Sequence, residues 1–126
     1  MQGTQMIKIF LPGKLPGFNE LEAASRGNKY AAAAEKKKHI KRIANFIFIS
    51  QGRAVKLERI CIDFLWVEPN KKRDPDNFAA GKKLIIDALV HSGIIKNDGW
   101  NEIDGFTDNW EIDKTCPGVW VTITEV

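Results

Sequence analysis

Leu57-Glu58-Arg59-Ile60-Cys61-Ile62-Asp63-Phe64-Leu65-Trp66-Val67, running on through Glu68-Pro69-Asn70-Lys71-Lys72-Arg73-Asp74-Pro75-Asp76-Asn77, is the stretch that decides the fold. Ile60, Ile62, Phe64 and Trp66 alternate with Cys61, Asp63 and Leu65. Side chains alternate across a strand with a period of two, so Leu57–Val67 is predicted as a strand with one face in the core. The basic and acidic segment after it marks the strand end. A helix is predicted from Asp76, its N-cap, to Val90, and Ser92-Gly93 ends it with Gly93 in a left-handed conformation. A strand feeding a helix through a charged turn is the organising unit.

Working outward, Met6–Leu11 reads as a strand ending at Pro12-Gly13. A Pro/Gly-rich loop follows through Gly17, then a short helical stretch from about Asn19 to Ser25. Arg26-Gly27-Asn28 breaks it, and Asn28 is placed to cap a long helix over Lys29–Ile49. That helix turns apolar at Ile43, Phe46, Ile47 and Ile49, and Gln51-Gly52 closes it. Two more strands are predicted around Thr107–Ile112 and Val119–Glu125, with Cys116-Pro117-Gly118 turning between them. The expected class is α+β: a small mixed β-sheet with two main helices packed on it, in a single domain over residues 1–126.

The chain has 126 residues and a net charge of +3, which is too small to decide a partner. The distribution is more telling. Arg26–Arg59 holds ten Lys or Arg against two Glu, and Ile60–Val126 holds seven against twelve Asp or Glu. A basic half joined to an acidic half suits a protein that holds phosphates with one part and a cation with the other; a solvated helix face explains the basic half equally well. Cys61 and Cys116 are too few for a disulfide scaffold, and with His39 and His91 too scattered for a zinc site. The sequence holds neither a signal-peptide pattern nor an apolar run of membrane-spanning length, so a reducing cytoplasm and no membrane partner are expected.

Asp74 and Asp76 flank Pro75, which disfavours the helical region for Asp74. In an extended segment both carboxylates project to one side, and like charges held close call for a cation or a proton between them. Asp98, in Asn97-Asp98-Gly99-Trp100, follows the helix by one short loop. That helix is about 21 Å long at 1.5 Å per residue. The few residues back to Asp98 just span it at about 3.3 Å each. Three carboxylates meeting there would bind one or two Mg²⁺ ions, able to generate hydroxide and orient a phosphodiester. The alternative for Asp74-Pro75-Asp76 is a turn with an N-cap. An EF-hand fails on spacing, because Ala79 stands where that loop needs Gly and Ile85 where it needs Glu. There is no G-x-S-x-G, P-loop or H-E-x-x-H pattern.

The combination of Arg73-Asp74-Pro75-Asp76-Asn77, Ile86-Asp87-Ala88-Leu89 and Asn97-Asp98-Gly99-Trp100 resembles the RusA family of Holliday-junction resolvases, small and often phage-borne endodeoxyribonucleases. The resemblance extends over nearly the whole length. It takes in the N-terminal strand and proline loop with Asn19, Arg26-Gly27-Asn28, the Ala- and Lys-rich helix, and the closing Val119–Glu125 strand. It implies a Mg²⁺-dependent homodimer, with Mn²⁺ as a substitute. Each subunit would cut one strand of a four-way DNA junction to leave a 5′ phosphate and a 3′ hydroxyl. The family's three metal-binding aspartates fall on Asp74, Asp76 and Asp98, and its basic residue before the first falls on Arg73, a phosphate contact. Asn97 stands where the family often carries an acid. The family's functional lysine, four residues after the second aspartate, is replaced here by Ala80.

Helix geometry offers Lys83 as the catalytic stand-in, about 60° from that lysine's direction, whereas Lys82 lies about 160° away. The competing role for Lys83 is an ion pair with Asp87 at i+4. Asp87 lies about 16 Å from Asp76 along the helix, too far to share its metal. Lys36, Lys37, Lys38, Lys41 and Arg42, with Lys71, Lys72, Lys82 and Arg26, are the DNA-backbone candidates; an exposed helix face is the alternative for the first five. Trp100 fits either packing or stacking on an unpaired base. Trp66, Trp110 and Trp120 fall at strand positions and read as core or dimer-interface residues. Two other functions stay open beside junction resolution: a flap or fork nuclease of the same chemistry, and a branched-DNA-binding protein whose carboxylates serve structure.

Overall fold

The period-two alternation from Ile60 to Trp66 becomes the central part of a sheet in the computed structural model, which describes residues 5–13, 29–51 and 55–126. Strand β1 is Met6–Pro12, helix α1 Lys29–Gln51 and strand β2 Ile60–Glu68. A 3₁₀ turn over Pro75–Phe78 leads into helix α2, Ala79–His91; strands β3, Ile103–Ile112, and β4, Gly118–Glu125, complete the chain. The class is the expected one, α+β with a mixed four-stranded sheet and two helices packed on it. The anticipated Asn19–Ser25 helix, the loop through Gly17, the Asn28 cap, Arg26 and Gly52 lie outside the described residues.

The sheet order is β1-β4-β2-β3. β4 is antiparallel to both β1 and β2, while β2 and β3 run parallel with Phe64 opposite Asp108 and Trp66 opposite Trp110. Parallel neighbours need a long crossover, and α2 supplies it. β3 begins at Ile103, four residues before the predicted start, because Ile60 and its neighbours offer it a partner that local sequence does not reveal. β3 and β4 therefore flank β2 rather than forming a hairpin. The link between them passes the end of β2, where the Asp113 amide donates to the Glu68 carbonyl at 2.8 Å.

One face of the sheet forms the core. Ile60, Ile62, Phe64 and Trp66 join Ile7, Ile9, Leu11, Val119, Val121 and Ile123, all nearly inaccessible. Ile43, Ala44 and Ile47 of α1 share that cluster with Leu84, Ile85, Ala88 and Leu89 of α2. Their spacing at i, i+3 and i+4 puts them on one helical stripe. Phe46 and Ile49, read from the sequence as part of this apolar end, are exposed. Aliphatic burial on this scale is the main stabilising term of such a domain.

The ends of α2 have clear local causes. Gly93 has φ +82, the left-handed conformation expected of it. Its amide donates to the Val90 carbonyl at 3.0 Å and the Ile94 amide to Leu89 at 3.1 Å, the paired bonds of a Schellman ending. At the start, Phe78 stands at the cap position of α2, and the cap position of the 3₁₀ turn before it is taken by Asp74, without a side-chain hydrogen bond. Its φ of −72 and ψ of 151 are extended, as a residue before proline should be. Pro75 fills the first helical position, where its missing N–H costs nothing.

Candidate functional site

The acidic turn begins where β2 ends, and Pro75 dictates its shape. The chain leaves the extended form at that residue, and the Asn77 amide donates to the Asp74 carbonyl at 3.0 Å. Asp76 sits inside the 3₁₀ turn, not as the N-cap of α2. The strand-like alternation that predicts a joint projection of Asp74 and Asp76 therefore does not extend across the pair. Both side chains are exposed at the positive end of the turn, where carboxylates are favoured by the peptide dipoles.

Asp98 is brought back to α2, but only as far as Lys83. Lys83 Nζ donates to Asp98 Oδ2 at 2.8 Å and to Asp87 Oδ1 at 2.8 Å. Of the two roles weighed for Lys83, the i+4 ion pair with Asp87 is present, and the same ammonium also holds Asp98 of the acidic loop. Lys83's hydrogen bonds, first to Asp87 and then to Asp98, raise its pKa above the ordinary lysine value. The hydrogen bond from Lys83, followed by its positive charge, lowers the pKa of Asp98 below the ordinary aspartate value.

Seven residues separate Asp76 from Lys83, about 10 Å of helix at 1.5 Å each. A cation holds its oxygen ligands at about 2.0–2.6 Å. Among the described residues no three His, Cys, Asp or Glu side chains form a group able to hold a metal ion. Asp74, Asp76 and Asp98 as arranged in this single chain therefore do not fit one ion; the convergence expected from the loop length stops at Lys83.

The basic candidates divide. Lys36, Lys37, Lys38, Lys41 and Arg42 are exposed on α1, and Lys71 and Lys72 are exposed in the loop after β2. Arg73 is half-buried, with its guanidinium carbon 5.5 Å from the Phe78 ring centre, and lines a small cavity with the buried Glu68. Lys82 points into the edge of the sheet. Its ammonium pairs with Asp108 and lies 5.6 and 5.1 Å from the ring centres of Phe64 and Phe106. Its charge is satisfied within the fold, which removes the rationale for Lys82 as a DNA-backbone contact.

Sequence reasoning passed over Asp108. Trp66 Nε1 donates to Asp108 Oδ1 at 2.9 Å, so this carboxylate joins β2, β3 and α2. A signal was present: Phe106-Thr107-Asp108-Asn109-Trp110 sets a carboxylate between two aromatics on one strand face, a position that requires partners. Asp104 was passed over as well; Arg59 Nε donates to its Oδ1 at 3.0 Å.

The loop carrying Asp98 is built around its own hydrogen bonds. The Asp98 amide donates to Asn97 Oδ1 at 2.9 Å, the Gly99 amide to Glu102 Oε1 at 3.2 Å, and the Ile103 amide to the Gly99 carbonyl at 3.1 Å. Trp100 projects from this frame 94% exposed, so the packing role considered for it does not hold. Trp66 is buried in the core, while Trp110 and Trp120 are partly exposed on the sheet. No helix among the described residues is long and apolar enough to cross a membrane. No protein-family model and no curated protein matches this chain.

Proposed function

We propose that this chain is a structure-selective endodeoxyribonuclease of the RusA kind, acting as a cytoplasmic homodimer on four-way DNA junctions with Mg²⁺, or Mn²⁺ in its place. Asp74, Asp76 and Asp98 are its acidic residues and Lys83 its basic one. The observation that carries this reading is the Lys83–Asp98 contact at 2.8 Å. It ties the acidic loop to the helix that opens directly after Asp74-Pro75-Asp76. The acidic loop is thereby held against the helix that follows the Asp74-Pro75-Asp76 turn, which supports a shared site on this side of the domain. The exposed lysines of α1 and of the loop after β2 support a polyanionic partner.

The cation is the part drawn from the resemblance rather than from the geometry. Lys83 occupies Oδ2 of Asp98, which leaves Oδ1 as the oxygen that this residue would offer a cation. The same observation favours a second reading, a branched-DNA-binding protein in which Asp98 serves structure.

Incubation of the protein with a labelled four-way junction, a flap and a plain duplex, in Mg²⁺ and in EDTA, separates the two. Paired nicks confined to the junction, lost in EDTA and in Asp74→Asn, support resolution. Cleavage of the flap alone supports a flap nuclease. Tight binding of an intact junction under all conditions supports the binding protein and overturns the nuclease.

A further inference from the structure

We infer that Trp100 is a stacking platform for an unstacked nucleobase at the branch point of the DNA, a contact that rests on the nucleic-acid reading above. A tryptophan side chain has about 150–250 Å² to bury, yet Trp100 leaves 94% of its surface in solvent. The other three tryptophans have partners. Trp66 stacks on Phe64 and Trp110 meets Phe78 edge-on, while Trp120 packs against Phe10 with Lys8 above it. Among the described residues Trp100 has no ring or cation contact. It is held outward by an organised turn in which Gly99 and Glu102 bond reciprocally: the Gly99 amide to the Glu102 carboxylate, and the Glu102 amide to the Gly99 carbonyl at 3.2 Å.

The surroundings identify the ligand class. Asn97, Asp98 and Asn101 beside Trp100 are polar and exposed, so there is no contiguous apolar patch of the kind that a protein or lipid surface would cover. An isolated indole ringed by polar groups suits a flat ligand with an apolar face and polar edges. Nucleobases have that form, and stacking on them tolerates any sequence. Lys96 is exposed on the same loop, so a cation stands near a phosphate backbone reaching this point, while the charge of Lys83 is taken up by Asp87 and Asp98. In a fully paired duplex the base faces are hidden, so Trp100 engages only where stacking is interrupted. It is a specificity element for branched over linear DNA.

Wild type, Trp100→Ala and Trp100→Phe are compared in EDTA, where bound DNA stays intact. The probes are a four-way junction carrying 2-aminopurine at the branch and the matching linear duplex. Trp100→Ala should weaken junction binding about tenfold or more, the usual scale for one lost stacking contact. Duplex binding and melting temperature should stay unchanged, and Trp100→Phe should restore most of the loss. The 2-aminopurine emission should respond to wild type and not to Trp100→Ala. Equal junction affinity and equal emission for wild type and Trp100→Ala overturn the stacking role, even where wild type cleaves junctions in Mg²⁺. A wild type that binds no branched DNA overturns both this role and the nuclease reading.

Discussion

Lys83 and Asp98, fifteen residues apart, are joined by a 2.8 Å hydrogen bond between ammonium and carboxylate. Asp87, one helical turn after Lys83, holds the same ammonium from the other side at 2.8 Å. The loop after α2 is thereby fastened to the middle of that helix instead of its start.

Replacing Lys83 by Met should loosen that loop without unfolding the domain. Lys83 is largely exposed and Asp98 partly so, and such pairs are worth about 0–1 kcal/mol. Lys83→Met removes two such pairs, to Asp87 and Asp98, so global stability in urea should fall by no more than about 2 kcal/mol. Hydrogen exchange at the Gly99 and Ile103 amides should rise severalfold. Unchanged exchange would show that the turn's own hydrogen bonds hold it without Lys83.

The pair also sets a pH window. Asp98 has its pKa lowered from 3.8 by Lys83, so its share of the linkage is present above 3.8 and is lost as pH falls through the lowered value. Lys83 has its pKa raised from 10.5 by its two carboxylates, so its share is present below 10.5 and is lost as pH rises through the raised value. Between these limits wild type should protect the loop amides better than Lys83→Met. Below the lowered Asp98 value the Asp98 contribution to that difference should vanish, as amide exchange on both proteins would read out.

Asp108→Ala should be more damaging than loss of any carboxylate in the acidic loop. It leaves the Lys82 ammonium beside Phe64 and Phe106 without its counter-charge and removes the acceptor for Trp66 Nε1. Stranded, partly buried donors cost about 1–3 kcal/mol. Urea denaturation should show a loss of that order, and Lys82→Met a smaller one because its stem still packs on the rings.

Gly118→Ala should strain the β1–β4 pair. A Cβ there would stand 2.5 Å from the Leu11 carbonyl oxygen and 2.5 Å from the Phe10 ring. The oxygen belongs to the backbone of a paired strand and cannot swing aside. Overpacking of this kind costs about 1–3 kcal/mol, measurable as a lower urea midpoint.

Reversing Lys36, Lys37 and Lys38 to Glu should weaken DNA binding with little change in melting temperature, since all three are exposed on α1. If each neutralises a phosphate, the salt dependence of binding should lose about 0.9 per residue in its logarithmic slope on duplex arms. An unchanged slope would take this helix out of the DNA interface.

Local rules carried much of the fold. The alternation of Ile60, Ile62, Phe64 and Trp66 yields β2 with the correct inward face, Gly93 marks the end of α2, and Asp74 is extended because Pro75 follows it. The same rules failed at Asp76, where two locally sensible outcomes competed. Proline as the first residue of a 3₁₀ turn prevailed over an extended Asp-x-Asp.

The sequence alone determined which residues are candidates, because composition and spacing are properties of the chain: Asp74, Asp76, Asp98, Lys83 and the lysines of α1. Tertiary structure decided their company. Lys83 is bound between Asp87 and Asp98, Lys82 is drawn inward by Asp108, and Trp100 is left in solvent. These outcomes depend on β3 lying parallel to β2 and on the path of the chain beyond Gly93. Both are set by contacts between residues distant in sequence, and periodicity within a segment carries no information about those contacts.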